Sequence, residues 1–196
     1  MQPLKITIPG KYWDSHIYKG RLYLFGIDGD VLTIDWDGLI REWNVGEKSR
    51  LAMLCAFCQS DYLYGNQWSL FFSDSEVRNL IQAKFERLRV QDLNVSREKL
   101  TRFKVGRQDN PLPFPHTDAT IYNETFYAAG ASGLFHAKCS KRTKHPISTR
   151  VEKQWDCPIA AVAASYSKLA LAAGDEGLFE IPANTDTWTG NRSAPE

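Results

Sequence analysis

Apolar residues along this chain fall in short runs, and most runs alternate with polar or small side chains before a cluster of glycine, asparagine, aspartate or serine ends them. A spacing of two predicts strands. Residues 21–25 and 31–36 read as a hairpin, with Asp28 and Gly29 at its turn. "LAMLCAFCQ" (51–59) and "QWSLFF" (67–72) read as a second strand pair. "ATIYNETFYAAG" (119–130) and "AAVAASYSKLALAAG" (160–174) each read as strand, polar turn, strand. One stretch has a different period. In residues 73–89, Val77, Leu80, Ile81, Phe85 and Leu88 share one helical face, and Ser73 stands three positions before Glu76 in the form of a capping box. "NPLPFPHTD" (110–118) carries three prolines and reads as an extended connection, because each proline removes a donor and restrains its predecessor.

The last two strand segments end alike. "AAGASGLF" (128–135) and "AAGDEGLF" (172–179) align Gly130 with Gly174, Gly133 with Gly177, Leu134 with Leu178 and Phe135 with Phe179, a spacing of 44 residues. A third copy lies in "GRLYLFGIDGDVLTIDWDG" (20–38), where Tyr23, Gly26 and Gly29 match Tyr127, Gly130 and Gly133. Self-similarity at 40 to 50 residues is the size of a small antiparallel sheet that must stack on neighbours.

On these residues the chain resembles the β-propeller repeat proteins of the WD-repeat and kelch-like kind, over roughly residues 12–60 and 117–182. It departs from them in lacking the Gly-His opening and the regular Trp-Asp close; Trp36-Asp37 and Trp155-Asp156 are lone pairs at different phases. The resemblance implies an all-β fold, a partial or small propeller-like arrangement of antiparallel sheets with one helical insertion. Its domain would cover 1–183, with the insertion at about 73–89, a basic connection at about 90–116 and a polar tail or linker at 184–196. Blades of this size number at most four in 196 residues. The ring would stay open, and its free edge near the carboxyl end would seek a partner.

Composition narrows the setting. A net charge of +1 and the absence of any apolar run of about twenty residues argue against a membrane span. "MQPLKITIPG" lacks the basic flank and apolar core of a secretory signal, so the expected setting is cytoplasmic, with four reduced cysteines. Cys55 and Cys58 have half the spacing of a zinc site, which Cys139, Cys157, His136 or His145 would have to complete; in an apolar strand they read as core residues. Asp28, Asp30, Asp35 and Asp37 are oxygen donors, but Val31, Leu32 and Ile34 interrupt any calcium loop. His16, His116, His136 and His145 form no metal or catalytic motif, and neither a nucleophile elbow nor a phosphate loop is present. No cofactor is expected, and a non-catalytic role is favoured over an enzyme.

Charge is segregated. Residues 84–107 hold eight basic residues against three acids, a net +5, and residues 138–153 hold six against one, also +5. Arg102, Lys104, Lys141, Arg142 and Lys144 are therefore the candidate partner-binding cations, with Trp155 as an aromatic anchor among Trp13, Trp36, Trp43, Trp68 and Trp188. The expected function is a protein–protein interaction or scaffold module within a larger assembly, with a protein partner or self-association. The alternatives are a hydrolase or glycan-processing enzyme whose carboxylates meet only in the fold, and a nucleic-acid-associated subunit using the basic segments, with direct binding of nucleic acid not expected.

Overall fold

The computed structural model describes residues 4–43, 45–58, 73–91, 93–140 and 146–183. The strand expected at 67–72, the tail at 184–196 and the residues Tyr62, Tyr64, Trp68, Lys141, Arg142, Lys144, His145 and Trp188 lie outside the described residues. Contacts divide the chain into two compact units, residues 1–27 with 32–107 and residues 28–31 with 108–196.

The first unit mixes strands with helices. β1 (Ile6–Thr7) pairs in parallel with β5 (Leu93–Asn94). A four-stranded sheet orders β2 (Tyr12–Tyr18), β3 (Arg21–Gly26), β4 (Asp30–Asp35) and β6 (Lys104–Asp109) as β2-β3-β4-β6. Alternate residues Leu22, Leu24 and Ile34 turn to a core that the helices complete. These are α1 (Trp36–Arg41), α2 (Glu47–Phe57), α3 (Ser75–Arg89) and α4 (Arg97–Arg102), which contribute Trp36, Leu39, Ile40, Ala52, Met53, Leu88 and Leu100. The α2 end is tied down where the Trp36 indole nitrogen donates to the Phe57 carbonyl at 2.6 Å, satisfying an acceptor that the helix leaves free.

Two expectations fail here. Residues 51–57 are helix, not strand: in an unbroken apolar run, alternation carries no information, and Ala, Met and Leu favour a helix once Gly46 starts one. The chain is therefore not all-β; about 45% of the described residues are strand and about 25% helix. The helix expected at 73–89 forms as α3, but its cap is Asp74, whose Oδ1 accepts from the Glu76 and Val77 amides at 2.7 and 3.1 Å.

The second unit holds two antiparallel meanders. β7 (Asp118–Tyr122), β8 (Thr125–Gly130), β9 (Gly133–Cys139) and β10 (Ile147–Trp155) form one sheet in the order β10-β9-β8-β7. β11 (Ala161–Ser165), β12 (Lys168–Ala172) and β13 (Leu178–Pro182) form the other, with a 3₁₀ turn at Gly174–Glu176. Tyr127, Ala129 and Leu134 of the first sheet pack on Val162, Leu169 and Leu171 of the second. Asp118 fastens the two, since its Oδ2 accepts from the Val162 amide at 2.8 Å.

The sheets are open and do not close into a propeller, which overturns that resemblance. Among the described residues, four helices occupy chain that further sheets would have needed. What does recur is a local plan. The first strand pairs are Tyr18 with Arg21, Tyr122 with Thr125, and Ser165 with Lys168, each across a turn with two left-handed residues: Lys19-Gly20, Asn123-Glu124 and Tyr166-Ser167. From β7–β8 to β11–β12 the offset is 43 residues, because Thr120 pairs with Tyr127 and Ala163 with Ala170. It becomes 44 in the third strand, where Leu134 and Leu178 are equivalent, so the 3₁₀ turn holds one residue more than the Gly130–Gly133 hairpin.

Candidate interaction surface

That single residue decides which side chains share a face. At the 43-residue offset Tyr127 and Ala129, which face the β11–β13 sheet, correspond to Ala170 and Ala172, and a slip of one would have exchanged the two faces. Leu169 and Leu171 point inward and are fully buried, so Lys168, Ala170 and Ala172 point outward. Ala161, Ala163 and Ser165 join them from β11, and Leu178, Glu180 and Pro182 from β13. The resulting outer face is mostly apolar, with Leu178 85% exposed. An open hollow of about 330 Å³ lies on it, between Ala163, Ser165, Tyr166, Lys168, Ala170 and Glu180.

Charge on the three strands amounts to one cation and one anion. Lys168 pairs with Glu180 across β12 and β13, both largely exposed. Tyr166 rises from the β11–β12 turn at 93% exposure with φ 47°, and Ser167 follows at φ 61°. The edge beside this face is blunted: Pro182 has no amide to donate, and its carbonyl accepts from the Gln154 side chain at 3.1 Å.

Of the residues singled out from sequence, the described ones are Arg102 and Lys104 in the first unit and Trp155 in the second. Arg102 is exposed in the first unit and pairs with Glu42 at 3.0 Å; Lys104 stands exposed on β6, an outer strand of its sheet. Trp155 is half-buried: its ring lies tilted against Phe179 with the centroids 5.1 Å apart, and its nitrogen donates to the Cys157 sulfur at 3.0 Å, so it serves packing in the second unit. Trp36 is buried in the first core, whereas Trp13 on β2 is 53% exposed. Lys99 lies over the Trp43 ring at 4.4 Å, and desolvation lowers its pKa.

The candidate chemical groups are absorbed by structure. Burial pushes the Cys58 thiol up to about 12, reinforced by the charge and hydrogen bond of Asp37, and burial pushes Cys139 to about 12 as well. Asp35 caps α1, and Asp37 is beside Cys58. His116 and His136 are buried, and His16 bonds Asp14 at 2.8 Å. Among the described residues no group of three or more His, Cys, Asp or Glu is placed to hold a metal. No helix among them is long and apolar enough to cross a membrane.

Sequence reading missed Tyr166, Ala163, Ala170 and Leu178. The alternation in "AVAAS" and "KLALA" was visible, but small residues on both sides of the strands concealed which side faced the core. Compared with protein-family models, curated proteins and solved structures, the chain matches none.

Proposed function

We propose that the chain is a non-catalytic protein-interaction module that works within a larger assembly and makes its main contact through the outer face of the β11–β13 sheet. One observation carries this reading. The equivalent face of the preceding sheet is covered by a second sheet, while here no described residue covers the same face, which carries four alanines, a leucine and a proline. An exposed apolar sheet face supports this reading, since such surfaces are where folded chains make contacts. Small side chains let another surface approach closely. Arg102 and Lys104, with Lys141, Arg142 and Lys144 outside the described residues, raise the rate of encounter with an acidic partner more than they hold it. The free thiols Cys55, Cys58, Cys139 and Cys157 suit a reducing, cytoplasmic setting.

The test is retention of partners by tagged full-length chain, compared with its Ala170→Arg variant and with Arg102→Glu/Lys104→Glu. The reading expects partners retained by the wild type to be lost with Ala170→Arg, and retained with weaker low-salt dependence after the charge reversals. Identical retention by wild type and Ala170→Arg would reject it.

A further inference from the structure

The first unit offers a second contact, which stands independently of the β11–β13 face. We infer that the outer side of β6 takes up an extended acidic segment of a partner protein as an added strand.

Elimination among the sheet edges comes first. A strand at the end of a sheet leaves one row of amides and carbonyls without a strand beside it, and most edges among the described residues are closed to a newcomer. β2 is bulged between Tyr12 and Asp14, and β10 shifts register twice along β9. Pro182 and the Gln154 side chain obstruct β13, while β7 and β11 adjoin one another where Asp118 accepts from the Val162 amide. β1 and β5 are two residues each, too short to hold a further strand. β6 has six residues and no proline, and it ends its sheet beyond β4. Among the described strands it is the edge suited to extension.

Exposure agrees. Lys104 and Val105 are successive strand residues, so they point to opposite faces of the sheet, and both are exposed. At this end of the strand both faces are accessible. Gly106 follows, and a residue without a side chain lets a second backbone come close.

Charge decides what kind of strand is admitted. Residues 97–109, which contain α4 and β6, hold Arg97, Lys99, Arg102, Lys104 and Arg107 against Glu98 and Asp109. Glu42 adds one carboxylate 3.0 Å from Arg102, but both partners are exposed, so the pair is weak and yields to a competitor. Lys99 lies over the Trp43 ring, and desolvation together with the Arg102 charge lowers its pKa against the pull of Glu42. Further negative charge beside α4 therefore stabilises a cation that the free chain compensates only in part. Cations on an edge ward off strands of the same charge, a second β6 included, and admit an acidic one. A polypeptide is favoured over other polyanions because its backbone meets the edge with alternating donors and acceptors.

Fluorescence anisotropy of a labelled peptide of about ten residues, alternating glutamate and valine, titrated with the full chain at low salt, tests this. Six strand residues make few contacts, so the dissociation constant should be on the order of 100 μM. Methylating the peptide's backbone nitrogens keeps its charge and removes its donors, and should weaken binding at least tenfold. Lys104→Glu should weaken it at least fivefold, and amide hydrogen exchange in β6 should slow when the peptide is bound. No binding up to about 1 mM chain overturns the inference, since even weak strand addition is visible there. Equal binding of the methylated peptide, or of a single-stranded oligonucleotide of the same charge, also overturns it and leaves a general polyanion surface. Ala170→Arg should bind the peptide like wild type; loss of the peptide in that variant would move the site to the β11–β13 face. Partner retention through that face is read separately, so either contact can fail without the other.

Discussion

Tyr166 shows how a single backbone conformation can outweigh a side chain's contacts. Replacing it with asparagine, which tolerates the left-handed region, should stabilise the monomer by about 1 kcal/mol, because strain is relieved and almost no buried area is lost. The midpoint of urea unfolding at low protein concentration measures this; a lower midpoint would show that the ring supports the fold. Cys58 and Cys139 give a second expectation. Their folded pKa values are raised to about 12, above those of exposed thiols, so the folded state holds these protons more tightly than the unfolded chain. Their contribution to stability is complete below about pH 8.5, the ordinary thiol value, and is lost as the pH rises from there towards 12. Both should resist thiol reagents in the native chain at pH 8. Rapid modification of either, followed by peptide mapping, would contradict their burial. Sequence suggested core roles for Cys55 and Cys58, and the burial of Cys58 was legible in its apolar run, although the helix that buries it was not.

At the level of elements, the repeated glycines separate by position. In Gly133, at φ 122°, an added Cβ would lie 2.0 Å from the Trp155 carbonyl oxygen, so β9 and β10 would have to part. Gly133→Ala should cost about 3 kcal/mol or more. Gly130 has nothing within 4 Å of the same position, and Gly130→Ala should stay within about 1 kcal/mol. Thermal unfolding of the two variants checks the contrast. Asp74→Ala removes two cap bonds from α3 and should cost about 1 kcal/mol by the same measurement. The glycine motif made the third-strand equivalence legible, since Leu134 and Leu178 do correspond. It misaligned the strand before it, because the extra residue hides inside a turn where both sequences read Ala-Ala-Gly. α2 escaped for another reason: a continuous apolar run has no period to read, and the choice of helix was made by Gly46 before it and by packing against α3.

For the molecule as a whole, local sheets were legible and their assembly was not. Strand alternation and glycine turns are encoded within five or six residues, so the meanders could be read from the sequence. Whether sheets close into a ring depends on how much chain remains for further sheets, and here α1 to α4 take that chain. The basic segments were legible as charge, and Arg102 and Lys104 are placed on an exposed helix and strand of the first unit, whereas no charge pattern marked the apolar face of the second. On the proposed function, this face is covered in the native assembly. Carbene footprinting of the chain within its native complex, compared with the purified chain at 1 μM, reads that directly. Labelling of Tyr166, Ala170 and Leu178 should fall several-fold in the complex, while Leu80 and Val90, exposed on and just beyond α3, keep their labelling. Equal labelling of Tyr166, Ala170 and Leu178 in the two samples would show that the face is left uncovered.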